Sequence, residues 1–244
     1  MTTLFIADLH LEPACPARTA LLLAFLQRQA RSADALYILG DLFEAWIGDD
    51  DDAEPGPTVA AALRTLTEGG VPVFFLHGNR DFLLGERFAA AAGLRLLPES
   101  GVIDLAGERV LLLHGDTLCT DDRDYQAFRA QVRNPVWQAQ MLALPLTQRR
   151  ALAGQLRESS RQATGQKAAE IMDVHQTEVE RIMRLHGVQR LIHGHTHRPA
   201  IHDGLLDGQP ARRAVLGDWR DDQGNVLRCD GFGWRLESLT LSGG

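Results

Sequence analysis

The 244-residue chain lacks any apolar run long enough to cross a membrane. Its longest apolar stretches, such as 20–26 and 110–113, fall far short of the ~20 residues that a membrane-spanning helix needs. The N-terminus has no basic stretch, and an aspartate follows its first apolar run, which disfavours a secretory signal. We therefore expect a cytoplasmic chain.

Cysteine is also scarce. Cys15, Cys119 and Cys229 are scattered and odd in number, which argues against a disulfide framework or a zinc cluster. The 10 prolines and 23 glycines are too few for a collagenous or disordered chain. With 45% hydrophobic residues, the composition is that of a globular protein, either one domain or one domain with an insertion.

Lysine is almost missing, since Lys167 is the only one among 25 basic residues. The net charge of -7 disfavours nonspecific nucleic-acid binding. The charge is uneven, because residues 123–167 contain eight basic and two acidic side chains, and this predicts an acidic partner for that segment. The four aspartates of 49–52 predict a solvated loop rather than a calcium site, because no EF-hand spacing follows them.

Apolar runs typical of buried strands alternate with helical patterns in the first half of the chain. The strands are expected at 4–7, 36–39 and 71–76, the helices at 18–29, 57–66 and 82–92, and a hairpin at 102–105 and 109–113. Strand signals vanish between 121 and 185 and resume at 190–192. We predict a sheet domain formed by 1–120 and 186–244, with 121–185 as an inserted set of helices.

Polar side chains follow the predicted strands where each strand ends, and an α/β sheet collects its ligand groups there. The candidates are Asp8, His10, Asp41, Asn79, His114, His195 and His197. Carboxylates, imidazoles and an amide suit Mn²⁺, Fe²⁺ or Zn²⁺ better than Mg²⁺, and the absence of thiolates argues against structural zinc. Seven groups exceed what one ion needs, and two ions would require a bridging carboxylate, for which Asp41 is the natural candidate. His77 and His193 are interpreted as structural rather than as ligands.

These residues belong to five motifs in a fixed order: Asp-Leu-His, Gly-Asp, Gly-Asn-Arg-Asp, His-Gly-Asp and Gly-His-Thr-His. The ordered set, spanning Asp8 to His197, resembles the calcineurin-like metallophosphoesterases. More narrowly, the stretches Ile-Ala-Asp-Leu-His-Leu, Gly-Asp-Leu-Phe-Glu-Ala-Trp-Ile-Gly-Asp-Asp and Ile-His-Gly-His-Thr-His-Arg-Pro resemble the UDP-2,3-diacylglucosamine pyrophosphohydrolases of the bacterial lipid A pathway. The resemblance implies an α/β (α+β) fold with a two-layer β-sandwich core flanked by helices and the insertion as a lid.

The resemblance also implies an activity. It is the Mn²⁺-dependent hydrolysis of the pyrophosphate bond of UDP-2,3-diacylglucosamine to UMP and 2,3-diacylglucosamine 1-phosphate (lipid X). Such an enzyme would sit peripherally on the cytoplasmic side of the inner membrane and bind no nucleic acid. Two Mn²⁺ ions are implied, one held by Asp8, His10, Asp41 and His197 and the other by Asp41, Asn79, His114 and His195.

The same resemblance assigns further roles. The catalytic residues would be Asp41, Asn79, Arg80 and His195, and the substrate contacts Asn79, Arg80, Asp122, Ser160, Thr164, Lys167 and His195. Thr164 stands where we expect asparagine in close relatives. Arg80 replaces the histidine that many phosphoesterases carry after the motif asparagine, and an arginine offers a fixed cationic fork to phosphoryl oxygens.

Apolar residues lie among the arginines of the insertion: Val132, Val136, Trp137, Met141, Leu142, Leu144, Leu146, Leu152 and Leu156. They either pack the lid onto the core or line a cleft for acyl chains beside an anionic membrane surface. Two alternatives stay open. One is a phosphodiesterase or phosphatase acting on soluble nucleotides or phosphoproteins, and the other is a metal-free scaffold of this fold.

Overall fold

The computed structural model describes residues 1–166 and 173–241, with the backbone alone for 160–166. In chain order its elements are β1 (Thr3–Ile6), α1 (Pro16–Arg28), β2 (Ala35–Ile38), α2 (Gly56–Glu68), β3 (Val73–Phe75), α3 (Glu86–Ala92), β4 (Arg95–Leu96), β5 (Ser100–Leu105), β6 (Glu108–Leu113), α4 (Arg123–Val132), α5 (Pro135–Leu142), α6 (Leu146–Gln166), α7 (Gln176–His186), β7 (Arg190–His193), β8 (Ala200–Leu206), β9 (Gln209–Val215), β10 (Gln223–Asp230) and β11 (Gly233–Thr240). Short 3₁₀ turns span Ala30–Ser32 and Asp116–Leu118.

The strands form two mixed sheets. The first has the spatial order β11-β10-β1-β2-β3-β4, and the second has the order β5-β6-β7-β9-β8. Strands β1, β2, β3 and β4 run parallel, as do β6, β7 and β9. Each sheet also contains antiparallel neighbours, so both are mixed.

Strand alternation explains the layers. Side chains alternate between the two faces of a strand, so a continuous apolar run is buried on both sides. Leu4 and Ile6 of β1 join the core beneath helices α1–α3, whereas Phe5 packs with Val110 and Leu112 of β6 between the two sheets. The predicted α/β fold with a sandwich core and flanking helices is confirmed.

The third helix begins later than the pattern predicted, at Glu86 rather than near residue 82. The Asp49 carboxylate accepts hydrogen bonds from the backbone amides of Gly85 (2.9 Å) and Phe88 (3.0 Å). It therefore satisfies amides at the first turn of α3, as a capping side chain would. The aspartate run 49–52 is thus more than a solvated loop, because Asp49 holds the start of this helix.

The predicted insertion contains α4, α5, α6 and α7, and no strand occurs among its described residues. Helix α7 packs onto the outer face of the second sheet, where Val179 and Met183 join Leu111 and Leu191 in a buried cluster. It directly precedes β7, the parallel neighbour of β6. The division of the chain at 121 and 185 stays a prediction.

Candidate active site

The seven candidate ligands follow the carboxyl ends of five strands, β1, β2 and β3 of the first sheet and β6 and β7 of the second. Asp8 and His10 follow β1, and Asp41 follows β2. The loops are tied together, since the amide of Asp8 donates to the Gly40 carbonyl (3.1 Å) and that of His10 to the Asp41 carbonyl (2.9 Å). A backbone-to-side-chain hydrogen bond ties in the second sheet, because the His195 amide donates to the Asp8 carboxylate at 2.8 Å.

Five of the seven candidate ligands have a left-handed backbone. The φ angles are 56° at Asp8, 49° at His10, 53° at Asp41, 70° at His195 and 55° at His197. Residues with a side chain seldom adopt this conformation, and such strain concentrates at functional sites. The loops are therefore bent in the way that turns these side chains toward one another.

Asp8, His10, Asp41 and His197 form the first group. The Nε2 atoms of His10 and His197 are 3.3 Å apart, and His197 Nε2 lies 3.4 Å from Oδ1 of Asp8. His10 Nε2 lies 4.0 Å from the same Asp8 oxygen and 3.9 Å from Oδ2 of Asp41. Lone-pair atoms of these residues thus face a common point.

Asp41, Asn79, His114 and His195 form the second group. The Asn79 Oδ1 atom lies 2.9 Å from Nε2 of His114 and 3.0 Å from Nδ1 of His195. His114 Nε2 is 3.7 Å from Oδ2 of Asp41, the same oxygen that faces His10 in the first group. The structure therefore brings all seven predicted ligands together in two sets that share one carboxylate oxygen.

The donor atoms fit divalent metal ions. Oδ1 of Asp8 is buried and has no hydrogen-bond partner among the described residues, a costly arrangement for a carboxylate unless a cation meets it. The second ring nitrogen of each ligating imidazole is commonly held by an acceptor. Here Nδ1 of His10 lies 2.9 Å from Glu44, and Nδ1 of His114 lies 2.8 Å from the Leu39 carbonyl.

Burial and mutual proximity shift the pKa values of these groups. Burial alone would lower the pKa of His10, but the carboxylates of Glu44, Asp41 and Asp8 raise it to about 9. Burial would raise the pKa of Asp8, but the imidazoles of the site hold it below its usual range. Burial, with His114 beside it, lowers the pKa of His195 to about 4. The His195 imidazole is therefore neutral and able to donate a lone pair at neutral pH, whereas the carboxylates of Asp41, Asp8 and Asp116 raise the pKa of its neighbour His114.

A cavity of about 300 Å³ opens beside the two groups. Its polar lining includes Asn79, Arg80 and Asp122, and Asp122 also caps α4 by accepting from the Tyr125 amide at 3.1 Å. The remaining walls are largely apolar and come from both the core and α4–α6: Trp46, Ile47, Phe82, Leu83, Phe128, Trp137, Met141 and Leu156. The cavity thus joins a polar site to a space suited to an apolar ligand.

Comparison with known proteins identifies the family. The model of the calcineurin-like phosphoesterases matches residues 1–199. The chain belongs to this family. The resemblance of the five motifs is thereby confirmed.

Several relatives of this phosphoesterase share more than half of its residues over more than nine-tenths of the chain. It is 55% identical over 248 residues to a UDP-2,3-diacylglucosamine hydrolase of Xanthomonas oryzae pv. oryzae, covering 99% of this chain and 100% of that one. It is 57% identical over 222 residues to a UDP-2,3-diacylglucosamine hydrolase of Escherichia coli O7:K1, covering 91% and 92%. Among solved structures, a phosphoesterase from E. coli is similar at 17% identity, with a TM-score of 0.47, over 95% of this chain and 89% of that one.

The two histidines interpreted as structural lie outside both ligand groups of the phosphoesterase site. Nε2 of His77 lies 2.7 Å from the Leu84 carbonyl. His193 is buried between the Gly194 carbonyl (2.9 Å) and the Arg213 guanidinium (3.1 Å), and burial lowers its pKa to about 3. Both side chains support neighbouring loops.

Sequence reasoning missed two supporting residues. The buried Asp81 carboxylate accepts hydrogen bonds from the amides of Gly78 (2.9 Å) and Leu42 (2.7 Å), so it joins the loops after β2 and β3. The Tyr125 hydroxyl lies 2.7 Å from Asp116, and its ring centroid lies 5.9 Å from that of His195. Asp81 could have been found as the last residue of the third motif, whereas nothing in the sequence marks Tyr125.

Three predicted substrate contacts are not described. The side chains of Ser160 and Thr164, and the whole of Lys167, lie outside the described part of the chain. No helix in that described part is long and apolar enough to span a bilayer.

Proposed function

We propose that this phosphoesterase hydrolyses the pyrophosphate bond of UDP-2,3-diacylglucosamine, forming UMP and 2,3-diacylglucosamine 1-phosphate in lipid A biosynthesis. The carrying observation is the cavity that joins Asn79 and Arg80 to apolar walls from both core and insertion. A diacylated sugar needs such walls, whereas a soluble phosphoester does not. The relatives at 55–57% identity that are named UDP-2,3-diacylglucosamine hydrolases support the same activity.

Two divalent ions, Mn²⁺ in our proposal, would bind the two groups. Asp8, His10, Asp41 and His197 would hold one, and Asp41, Asn79, His114 and His195 the other. The mixed oxygen and imidazole donors support a transition metal, and the shared oxygen of Asp41 supports a bridged pair. Bound there, the ions would supply Lewis-acid activation of water and neutralise charge on the phosphoryl oxygens.

The chain's own side chains complete the site. The Arg80 side chain lines the cavity beside Asn79, and its buried Nε has no hydrogen-bond partner among the described residues. A guanidinium in this place can donate to phosphoryl oxygens and stabilise charge that develops during in-line attack. Asn79 and His195, in contact at 3.0 Å, would orient the same phosphoryl group.

Further substrate contacts are proposed from the lid. Asp122 lines the cavity and would contact the polar part of the substrate. Ser160, Thr164 and Lys167 would add contacts from the end of α6 and the residues after it. The apolar walls contributed by Trp137, Met141 and Leu156 would receive the acyl chains.

A lipid substrate would favour a position of the enzyme at the inner membrane, where such lipids lie. We propose peripheral binding on the cytoplasmic side, supported by exposed apolar side chains on the lid such as Val136 (65% exposed) and Leu142 (42%). Membranes washed with high salt should release the protein. Recovery of all of it in the cytosol before washing would contradict the proposal.

An isotope experiment tests the reaction. The metal-loaded protein is incubated with UDP-2,3-diacylglucosamine in ¹⁸O-water containing Mn²⁺, and both products are weighed by mass spectrometry. Label in UMP would establish the pyrophosphatase with attack on the uridine-side phosphorus, and label in the sugar phosphate would establish it with attack on the other. Cleavage of bis-p-nitrophenyl phosphate alone would retain a phosphodiesterase and overturn the lipid assignment.

A further inference from the structure

One carboxylate lies between the first ligand group and the lid. Oε2 of Glu44 lies 2.9 Å from Nδ1 of His10, on the side of the ring opposite the ligand group. Oε1 of Glu44 lies 2.9 Å from the guanidinium of Arg157, a residue of α6. Each oxygen of Glu44 thus holds a different part of the molecule.

We propose that Glu44 is a positioning residue that fixes the His10 imidazole and couples it, through Arg157, to the seating of the lid helix α6. This inference rests on the proposed metal site. It concerns how tightly the first group binds its ion, and it assigns Glu44 no contact with substrate.

The contact with His10 defines which ring nitrogen faces the site. With an ion bound at Nε2, the remaining ring proton lies on Nδ1, where the Glu44 carboxylate can accept it and fix the orientation of the ring. That Nε2 atom faces Asp8 and Asp41 at 4.0 and 3.9 Å. The side chains of His10 and Glu44 are only 12% and 18% exposed, so solvent screens their interaction less than it would a surface pair.

The backbone of Glu44 is anchored as well. Its amide donates to the Leu11 carbonyl at 3.1 Å, within a short bridge between Leu11 and Phe43 that joins the loops after β1 and β2. The carboxylate therefore projects from a fixed point, and its orientation depends on the two groups that it contacts.

Arg157 brings the lid into this arrangement. Its guanidinium also lies 3.3 Å from Glu12, so α6 reaches two core carboxylates through one side chain. The side chain lines the substrate cavity, and its buried Nε has no hydrogen-bond partner among the described residues. Any displacement of α6 that withdraws Arg157 would release one oxygen of Glu44 and loosen its hold on His10.

Manganese titration without substrate tests the inference. Metal-free protein is titrated with Mn²⁺, and free Mn²⁺ is counted by electron paramagnetic resonance, which yields the stoichiometry and both affinities. We expect Glu44→Ala to lower the affinity for one of the two Mn²⁺ ions about 10–100-fold and to leave the affinity for the other unchanged. Glu44→Gln retains an acceptor for His10 and should recover most of that affinity. Arg157→Ala should lower the affinity for the same ion by a smaller factor.

Glu12→Ala is the matched control, because Glu12 pairs with Arg157 but no contact joins it to His10 in the described structure. Its two Mn²⁺ affinities should equal those of the unaltered chain. Glu44→Ala with both affinities unchanged would overturn the positioning role, and Arg157→Ala with both unchanged would overturn the coupling to the lid. An unaltered chain that binds two ions yet leaves UDP-2,3-diacylglucosamine intact would overturn the substrate assignment alone, whereas one that binds no Mn²⁺ would overturn the metal site and this inference together.

Discussion

Asp41 is the residue on which both candidate metal groups depend. Its Oδ2 faces His10 and His114, and its Oδ1 accepts a hydrogen bond from the Arg80 amide at 2.8 Å. Because one carboxylate serves two ions, its loss should affect both at once.

We expect Asp41→Ala to abolish nearly all hydrolysis of UDP-2,3-diacylglucosamine and to lower the affinity for both Mn²⁺ ions. Asp41→Asn, which keeps the shape and one acceptor oxygen, separates lost charge from lost packing. Activity assays and Mn²⁺ titration check the prediction. Near-normal turnover with two ions bound would contradict the bridging role.

Arg80 acts through a different atom. Its backbone amide, rather than its guanidinium, contacts Asp41, so truncating the side chain leaves that hydrogen bond in place. We expect Arg80→Ala to retain both ions and to lose about 10²–10³-fold in turnover, the usual effect of removing one donor that stabilises transition-state charge. Loss of metal binding in parallel with activity would show instead that the guanidinium supports the metal site.

At the scale of elements, the lid helix α6 is fastened to the core near its N-terminal end. The Arg149 side chain is buried and donates to the carbonyls of Ile47 (2.7 Å) and Leu144 (2.9 Å), and it also pairs with Asp50. Its neighbour Arg150 pairs with Asp51 at an exposed position. The two adjacent arginines therefore form a natural comparison.

Replacing Arg149 with alanine leaves the two carbonyls and the Asp50 carboxylate without their hydrogen-bond donor. We expect the variant to lose about 1–3 kcal/mol of unfolding free energy, the usual cost of leaving a buried polar group unpaired. Arg150→Ala should change stability little, since exposed ion pairs contribute little. Urea denaturation of both variants measures the difference, and equal stabilities would show that Arg149 does not fasten α6.

At the scale of the whole molecule, the candidate ligands join the two sheets. Asp8 and Asp41 follow strands of the first sheet, whereas His114 and His195 follow strands of the second. Ions bound between them would stabilise the folded state, because an unfolded chain cannot assemble the same donors.

Removing metal with EDTA should therefore lower the melting temperature by several degrees. An ion at 100 times its Kd contributes about 2.7 kcal/mol, and each 1 kcal/mol shifts the Tm of a domain of this size by about 2–4 °C. Adding Mn²⁺ back should restore the Tm. Asp41→Ala should respond much less, and a Tm insensitive to EDTA in the unaltered chain would contradict the metal site.

The features of the fold and the site that the sequence predicted depend on residues close together in the chain. Apolar runs such as 4–7 show a strand buried on both faces, and polar residues directly after such runs show where ligands gather. The start of α3 was not predictable, because Asp49, 36 residues before Gly85, supplies the acceptor for its first turn. Tyr125 beside His195 was missed for the same reason, since the contact joins residues far apart in the chain.

The sequence by itself determined the fold class, the seven candidate ligands and the family, because each depends on residue type, local periodicity and the order of short motifs. Only the tertiary structure decided which atoms face one another: that Oδ2 of Asp41 faces both groups, that Arg149 is buried against the Ile47 carbonyl, and that Glu44 joins His10 to Arg157. The physical reason is distance along the chain. Contacts between residues more than 30 or 100 positions apart follow from how sheets and helices pack, and no local pattern records them.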